Sequence, residues 1–310
     1  MPAFHVSRSL EIASPPEVVF EYVADFENWT QWSPWLSIDP GAAVTVSADP
    51  NSVGSFYRWK GELVGQGEVE HLQLEHARRI EEEIRFVKPF KSKSQVRFLF
   101  EPTESGTLVS WQMDGNLPWF LFWMRSSMES YVGMDYERGL KMLRERIETG
   151  EVLSKTEVHG VESVPPIDFY GLSDTAPIND IGPAMSRIFT KIQQRFSEID
   201  VSIEVPILSA YHPSDLQQQR FRFTSGYAVD EDEGIAAGLV HCHLPGGRAL
   251  HVRHIGSYEN LGNAWSGAYQ YARYKKLKVL RQDAYEIYRN DPQSTPPRER
   301  ITDIYLPVKA

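Results

Sequence analysis

The sequence contains a single cysteine, Cys242, among its 310 residues, which excludes an intramolecular disulfide and suits a reducing compartment. The formal net charge is −10 and neither half of the chain has an excess of lysine and arginine, so binding to nucleic acid through bulk charge is not expected. The longest apolar run, residues 117–124, is far shorter than the roughly 20 residues of a membrane-spanning helix, and the N-terminus has no signal-peptide pattern. We therefore expect a soluble, cytoplasmic protein.

The motifs that mark common catalytic and cofactor sites are also missing. There is no GxGxxG or GxxxxGK phosphate-binding loop and no GxSxG nucleophile motif. His241, Cys242 and His243 are residue types that bind metals, and His251 and His254 follow nearby in the sequence. However, alternation along a strand puts Cys242 on the opposite face from its two neighbours. No further ligand spacing supports zinc, so we expect neither a metal nor a cofactor.

Hydrophobic residues make up 41% of the chain and aromatic residues 12%, enough for the two packed domains that this length predicts. In the first half, a strand at 4–13 precedes a helix opened by Ser14, Pro15 and Pro16. A long helix follows Pro118 and ends at Gly150. The aromatic run at 118–123 fits a hydrophobic lip at the mouth of a cavity or a membrane-touching patch, but we favour the buried start of the helix. Between the helices, short runs separated by turn residues predict an antiparallel sheet, at 43–48, 55–62, 65–74, 79–87, 95–101 and 107–114.

Two stretches of this half, PPEVVFEYVADFENWTQWSPW and DYERGLKMLRERIE, resemble the SRPBCC (START-like, polyketide cyclase-like) superfamily. The resemblance covers residues 3–150 and implies a helix-grip domain, in which a curved antiparallel sheet surrounds the long C-terminal helix and encloses an apolar cavity. Trp59, Glu82 and Trp111 are candidate lining residues of that cavity. Glu82 shares a strand face with apolar neighbours, although residues 81–83 also fit a solvated acidic run, and both tryptophans also fit plain core.

The boundary between the domains follows this helix. Residues 151–166 are polar, non-periodic and end in two prolines, which predicts a linker between a first domain at 1–150 and a second at 167–310. In the second half, a strand, a helix and two strands at 167–228 recur at 246–308, and a strand at 234–244 is expected to bridge them. The prediction is an α+β domain of two strand–helix–strand–strand repeats related by a pseudo-twofold axis, with a ligand groove between them.

One acid in the second repeat does not fit a generic core. Glu286 lies in the strand AYEIY, where alternation places it on one face with Tyr288, and Tyr285 on the other. Burying a carboxylate among aromatic residues is costly unless a partner offsets its charge. The preceding helix begins near Ser257 and presents Trp265 on its apolar stripe.

The stretches YHPSD, LPGGRALHVRHIGSYENLGNAW, YEIYRNDP and TDIYLPV resemble the GyrI-like effector-binding domain over residues 167–308. The resemblance implies a pocket with aromatic walls and a buried glutamate that binds small aromatic or cationic molecules. Aromatic faces and a buried carboxylate both attract cations. Glu286 also fits a structural acid that neighbouring tyrosines satisfy. Carried over by position in these motifs, the implied binding residues are Glu286, Tyr211, Tyr258, Trp265, Tyr288 and Tyr305.

Regulators that contain such a domain attach it to a DNA-binding helix-turn-helix. A helix-grip domain stands in that place here, so the resemblance does not carry transcriptional regulation with it. We expect a protein that binds, sequesters or senses a small hydrophobic molecule, aromatic or cationic, with Glu286 at the centre of the site. The alternative is a hydrolase of small electrophilic compounds, with Glu286 as general base and Tyr258 or Tyr305 as proton donor. A third hypothesis is an interaction protein whose pockets no longer bind a ligand.

Overall fold

The structure, a computed structural model, describes residues 3–88, 91–117, 123, 125–177, 180–197, 206–213, 220–228 and 238–309. Contacts within the chain divide it into two compact units, Met1–Leu153 and Ser154–Ala310. The division falls just beyond the predicted end of the first domain at residue 150.

The first unit is an antiparallel sheet with two α-helices. The sheet order is β1-β7-β6-β5-β4-β3-β2, so the first strand pairs with the last and the other neighbours are consecutive along the chain. All strands predicted for this half are present, with ends shifted by a few residues. Its elements are β1 (Ala3–Ile12), α1 (Pro16–Ala24), β2 (Ala43–Val46), β3 (Phe56–Lys60), β4 (Gln66–Glu75), β5 (Arg79–Lys88), β6 (Ser92–Pro102), β7 (Thr107–Asn116) and α2 (Arg125–Thr149).

The interior of the first unit lies between this sheet and the long helix α2. Alternate residues of β5 and β6 are buried, among them Ile80 and Phe98, and α2 buries Tyr136 and Leu140 in the same core. Gly150 ends the helix with a φ of +88°, a conformation that glycine adopts without strain. A sheet that encloses its C-terminal helix is consistent with the helix-grip arrangement.

The starts of the two helices of the first unit differ from the prediction. Helix α1 has Pro15, not Ser14, at its N-cap, and no side chain caps it. Of the aromatic run expected to form the buried start of α2, residues 118–122 lie outside the described part of the chain. Trp123 is 67% exposed, so the predicted burial is wrong for that residue.

The second unit is an eight-stranded antiparallel sheet in the order β12-β9-β11-β10-β14-β15-β13-β8. Among the described residues of either unit, no helix is long and apolar enough to cross a membrane. The elements of the second unit are β8 (Ser154–Val164), β9 (Ile167–Pro177), α3 (Ile181–Ser197), β10 (Ile207–Tyr211), β11 (Arg220–Tyr227), β12 (Val240–Leu244), β13 (Gly247–Gly256), α4 (Leu261–Tyr274), β14 (Ala284–Tyr288) and β15 (Ile301–Pro307).

The predicted linker at 151–166 is for the most part a strand. β8 pairs along β13 and forms one edge of the sheet. The sequence conceals this strand because the pairing contains a register shift close to Gly160, which has a φ of +93°. The irregularity breaks the alternation, so Val158 and Val161, three residues apart, both pack against the core. The second unit therefore begins near residue 154 and not at 167.

The strand predicted to bridge the two repeats is an edge strand. β12 pairs with β9 at the opposite end of the sheet from β8, and residues 234–237 of the prediction lie outside the described part. The two predicted repeats instead meet where β10 pairs directly with β14. The predicted bridge is therefore wrong, and the centre of the sheet is a β10–β14 ladder.

The sheet of the second unit has two different faces. On one face, Ala268 of α4 packs with Val252, and Ile188 of α3 packs with Phe223. The opposite face carries a separate apolar cluster that includes Leu208. Because side chains alternate along each strand, adjacent residues of β14 enter different environments. This separation decides which of the predicted site residues can meet.

Candidate functional site

Glu286 lies at the middle of β14, close to the centre of the eight-stranded sheet. The register places it opposite Ser209 of β10 on one side and Ile304 of β15 on the other. Its side chain points to the face that carries the helices and is fully buried. A carboxylate in such a position requires hydrogen-bond partners to be stable.

Three aromatic side chains donate hydrogen bonds to Glu286. Trp265 Nε1 donates to Oε1 at 2.5 Å, and the Tyr288 hydroxyl donates to Oε2 at 2.5 Å. The Tyr211 hydroxyl is a third donor. All three donors are neutral, and within the described part of the chain no lysine, arginine or histidine forms an ion pair with this carboxyl group.

Burial shifts the pKa values of Glu286 and of the tyrosines that donate to it. Burial raises the pKa of Glu286, and the hydrogen bonds from Tyr288, Trp265 and Tyr211 lower it only in part, so the pKa stays above the usual value of a glutamate. Burial, together with the nearby carboxylate, raises the pKa of Tyr211 and of Tyr288 well above their usual value. Both tyrosines therefore remain protonated and act as donors.

Aromatic rings form the walls around this carboxyl group. Tyr211 meets Trp265 edge to face, with ring centroids 5.2 Å apart. Tyr258 and Phe189 both meet Tyr288 edge to face, at 5.6 and 5.3 Å. These contacts bring together β10, α3, α4 and the turn before α4. Four of the predicted residues, Tyr211, Tyr258, Trp265 and Tyr288, thus surround Glu286.

The site also contains polar residues that no sequence pattern indicates. The Tyr288 hydroxyl lies 3.3 Å from Ser209 Oγ, and Ser209 Oγ lies 2.7 Å from Ser225 Oγ. Both serines are fully buried. A serine in a strand carries no signal of burial in the sequence, and only the pairing of β10 with β14 and β11 places these two beside Glu286. Phe189 could have been found, since it lies on the apolar stripe of α3.

The prediction that Tyr305 lines this site is wrong. The register pairs Tyr305 with Tyr285, whose side chain points away from the helices, and the two rings stack with centroids 5.0 Å apart. Tyr305 also stacks on His251 at 4.7 Å and accepts a hydrogen bond from Arg289 at 3.0 Å. The sequence alone determines which residues of one strand share a face. The register between strands determines which residue of β15 lies opposite Glu286.

Tyr305 belongs to a charged cluster on the opposite face. Asp303 is fully buried there and accepts hydrogen bonds from Arg253 at 2.7 Å and from Arg289 at 2.6 Å. His251 Nε2 lies 3.1 Å from the same carboxylate. Although burial acts to raise it, these contacts hold the pKa of Asp303 well below its usual value. In this cluster, cationic side chains stabilise an ionised acid, whereas all the donors to Glu286 are neutral.

In the first unit, Glu82 and Trp111 lie in one interior. Glu82 is fully buried, whereas Glu81 and Glu83 pair with arginines in the partly exposed layer, so the solvated-run interpretation is wrong for Glu82. Trp111 is buried and stacks on Tyr136, with centroids 3.9 Å apart. Trp59 lies farther along the sheet, where its Nε1 donates to a loop carbonyl and its ring meets that of Phe86 edge to face.

Family models match both units. The model described as "Polyketide cyclase / dehydrase and lipid transport" covers residues 3–148, and that described as "GyrI-like small molecule binding domain" covers residues 160–309. The chain is a fusion of an SRPBCC-type domain and a GyrI-like domain. Both domains therefore belong to families of small-molecule-binding proteins.

Several solved structures are similar to parts of the chain at low sequence identity. Protein CV1439 from Chromobacterium violaceum is 18% identical and covers 47% of this chain and 98% of its own, with a TM-score of 0.36. The Aha1 dimer from Colwellia psychrerythraea is 13% identical, with 47% and 97% coverage and a TM-score of 0.36. EcmrR, in a complex with DNA, is 15% identical, with 63% and 73% coverage and a TM-score of 0.41. No curated protein matches the chain. Identities this low do not transfer a function.

The histidines that could suggest a metal site are distributed over both ends of the GyrI-like domain. His241 and His243 approach the same oxygen of Asp168, at 2.8 and 2.9 Å. His251 belongs to the Asp303 cluster, and His254 is buried with its Nε2 2.9 Å from the Ser257 carbonyl oxygen. Among the described residues, no group of three or more histidine, cysteine, aspartate or glutamate side chains could hold a metal ion.

Proposed function

We propose that the GyrI-like domain binds a small aromatic molecule, preferably a cation, at Glu286, and that the protein sequesters or senses this molecule. The observation that carries the proposal is a fully buried carboxyl group with only neutral aromatic donors around it. A positive ligand would add the Coulomb attraction that the site lacks, and the rings of Trp265 and Tyr258 would add cation–π attraction.

The position of Glu286 within the sheet supports a ligand groove between two repeats. The strand order runs β9-β11-β10 on one side of the centre and β14-β15-β13 on the other, so the two halves mirror each other. We infer a duplicated strand–helix–strand–strand domain whose pseudo-twofold axis passes between β10 and β14. Glu286 lies at that junction, which is where a groove shared by both repeats would run.

Access to the carboxyl group depends on the aromatic side chains above it. Glu286 and Tyr288 are buried, whereas Tyr211, Tyr258, Trp265 and Phe189 are partly exposed. We infer that the ligand enters by displacing one or more of these four rings. Trp265 is the best candidate, because its indole both covers Glu286 and donates to it.

Catalysis by Glu286 is the second candidate function, and its raised pKa favours it. As a general base, however, Glu286 would have to take a proton from water while Trp265 and Tyr288 donate to its two oxygens, and both hydrogen bonds make the carboxylate less basic. Tyr305, one of the two proposed proton donors, lies on the other face of the sheet. Binding without turnover therefore accounts better for the geometry.

A matched pair of ligands tests the proposal. N-methylquinolinium and 1-methylnaphthalene have nearly the same shape, but only the first is charged. We expect the wild-type protein to bind the cation at least about tenfold more tightly, and Glu286→Gln to abolish the preference while the neutral compound binds as before. Glu82→Gln, in the other domain, is the control and should leave the preference unchanged. Equal affinity of the wild type for both compounds would contradict the proposal. The hydrolase would be favoured if the wild type formed a product from an electrophilic lactone and Glu286→Gln did not.

A further inference from the structure

A row of four polar side chains crosses the sheet of the GyrI-like domain on the face away from the helices. Ser173 of β9 is opposite Thr224 of β11 in the register, His212 directly follows β10, and Asp283 directly precedes β14. These strands are neighbours in the order β9-β11-β10-β14. The residue after Thr224 contacts a side chain of α3, so Thr224 itself points to the opposite face of the sheet.

Hydrogen bonds connect these four side chains in series. His212 Nδ1 lies 2.8 Å from Asp283 Oδ2, and His212 Nε2 lies 2.7 Å from Thr224 Oγ1. Thr224 Oγ1 in turn lies 2.7 Å from Ser173 Oγ. Each distance is that of a well-formed hydrogen bond. The carboxylate, the imidazole and the first hydroxyl follow one another as in a Ser-His-Asp triad, with a threonine in the place of the serine.

The carboxylate at one end fixes the direction of the hydrogen bonds. A carboxylate can only accept, so Nδ1 of a neutral His212 carries the hydrogen and Nε2 is left as an acceptor. The Thr224 hydroxyl therefore donates to His212, and its oxygen accepts from the Ser173 hydroxyl. The hydroxyl of Ser173 is thus connected to an imidazole base through one intervening hydroxyl.

The two hydroxyl groups differ in their exposure. Thr224 is fully buried and cannot meet a substrate, whereas Ser173 is exposed. The side chains of His212 and Asp283 are 20% and 23% exposed. The arrangement therefore presents the hydroxyl of Ser173 to molecules in solution and keeps its base largely shielded behind it.

A thiol competes with Ser173 for the same partner. Cys242 also forms a hydrogen bond with Thr224, but burial raises the pKa of this thiol and the residue is only partly exposed. Cysteine reacts as the thiolate, which a raised pKa disfavours. Ser173 is therefore better placed than Cys242 to act as a nucleophile.

A cationic side chain lies beside the exposed hydroxyl. Arg222 is exposed and shares a face of β11 with Thr224, two residues away. In the register it lies diagonally from Ser173, within the reach of a long side chain. A positive charge in this position would stabilise the oxyanion that forms when a hydroxyl attacks a carbonyl group.

We propose that Ser173 is the nucleophile of an acyl-transfer site for small activated aryl esters, and that Thr224, His212 and Asp283 form the relay that takes its proton. This site is independent of Glu286, which faces the helices on the other side of the sheet. Thr224, His212 and Asp283 act through Ser173 and are positioning residues.

The proposed reaction has two stages. Ser173 Oγ forms a bond to the acyl carbon, its proton passes to Thr224, and the proton of Thr224 passes to His212 Nε2. The bond between the acyl carbon and the aryl oxygen breaks, the aryloxide leaves, and His212 releases its extra proton to water. A water molecule then attacks the acyl group, and Ser173 Oγ recovers a proton from it as the carboxylic acid departs.

The first test measures the hydrolysis of 4-nitrophenyl acetate by the full-length protein. We expect the rate to fall by at least about a hundredfold in Ser173→Ala, His212→Gln and Thr224→Val, since a general base contributes on this order. Thr224→Val preserves the shape of the side chain and removes only the relay hydroxyl. Thr224→Ser keeps that hydroxyl and should retain most of the activity. Ser163→Ala, at another exposed serine of the same sheet, is the control and should leave the rate unchanged.

The second test identifies the nucleophile with an alkyl fluorophosphonate. Attack of a serine oxygen on phosphorus displaces fluoride and leaves a stable ester, which peptide mass spectrometry locates. We expect the ester on Ser173 in the wild type and in Thr224→Ser. In Thr224→Val, labelling of Ser173 should be at least about a hundredfold slower, because the hydroxyl has lost the path to its base.

Each other result overturns the proposal. Labelling of Ser173 at one rate in the wild type and in folded Thr224→Val would show that the hydrogen bonds are only structural. Hydrolysis that survives Ser173→Ala, or that only Glu286→Gln removes, would place the activity elsewhere. Absence of both hydrolysis and labelling in the wild type would show that the hydroxyl is not activated. If Thr224→Val fails to fold by circular dichroism, His212→Gln, at a partly exposed position, supplies the same comparison.

Discussion

The indole Nε1 of Trp265 on α4 donates to Oε1 of Glu286 on β14 at 2.5 Å, which connects the helix to the centre of the sheet through a buried carboxyl group. The same tryptophan meets Tyr211 of β10 edge to face. Trp265 thus contacts both the acid and the neighbouring strand, and it is also partly exposed. We propose that a side chain with these contacts both stabilises the site and controls the entry of a ligand.

Replacing Trp265 with phenylalanine should destabilise the GyrI-like domain by about 1–3 kcal/mol, because one oxygen of a buried carboxyl group loses its donor. Hydrogen exchange of peptides from β13, β14 and β15 during urea unfolding would measure this. A double-mutant cycle with Glu286→Gln should give a coupling of about 1 kcal/mol, since the hydrogen bond to a charged acceptor is the stronger one. Strictly additive effects would mean that the contact contributes nothing specific.

Glu286→Gln should change how the stability of this domain depends on pH. Folding raises the pKa of Glu286, so the native state holds the proton more tightly than the unfolded chain. This contribution to stability is fully present below the unfolded pKa of about 4.3 and is lost as the pH rises through the native pKa. The wild type should therefore lose stability relative to the glutamine variant as the pH rises above the unfolded pKa of about 4.3. Glu299→Gln, at an exposed position, is the control, and an unchanged difference between wild type and Glu286→Gln would refute the assignment.

The Asp303 cluster should show the opposite dependence on pH. Folding lowers the pKa of Asp303, so its contribution to stability is present above the unfolded pKa of about 3.9 and is lost as the pH falls through and below that value. Asp303→Asn should cost about 2 kcal/mol at pH 7. This is less than the roughly 3–5 kcal/mol of a broken, fully buried pair, because Arg253 and Arg289 are about one-third exposed and can be solvated.

The measurement for Asp303 is urea unfolding between pH 7 and pH 3. The destabilisation caused by Asp303→Asn should be constant near neutral pH and should begin to shrink below the unfolded pKa of about 3.9, but part of it should persist at pH 3, because the native carboxylate is still ionised there. A penalty that stays constant over the whole range would show that packing, and not the ionised carboxylate, is what the substitution removes.

Strand β8 gives a prediction that distinguishes a strand from a linker. Lys155 is exposed and lies in the segment that the sequence predicts to be a linker, but its backbone pairs with Ile255 of β13. We expect native trypsin digestion to leave the bond after Lys155 intact, because a protease needs an extended segment that can leave the sheet. Rapid cleavage at Lys155, detected by mass spectrometry of the intact fragments, would contradict the pairing.

The sequence predicted most elements of both units because their signals are local. The alternation and turn residues of the first half placed all of its strands within a few residues, and the stripe of α4 correctly included Trp265. β8 was missed because a bulge at Gly160 interrupts its alternation, and β12 was given a bridging role because its partner β9 is distant along the chain. Local signals do not contain the pairing partner of a strand.

The site residues divide in the same way. By itself, the sequence determined that Glu286 shares a strand face with Tyr288 and that a helix carrying Trp265 precedes it, since periodicities of 2 and 3.6 residues fix side-chain directions within one element. Only the tertiary structure decided that Ser209 lies opposite Glu286, that Tyr305 faces away from it and that His71 lies beside Glu82. The register between strands distant in sequence decides these neighbours, and it depends on the packing of the whole sheet.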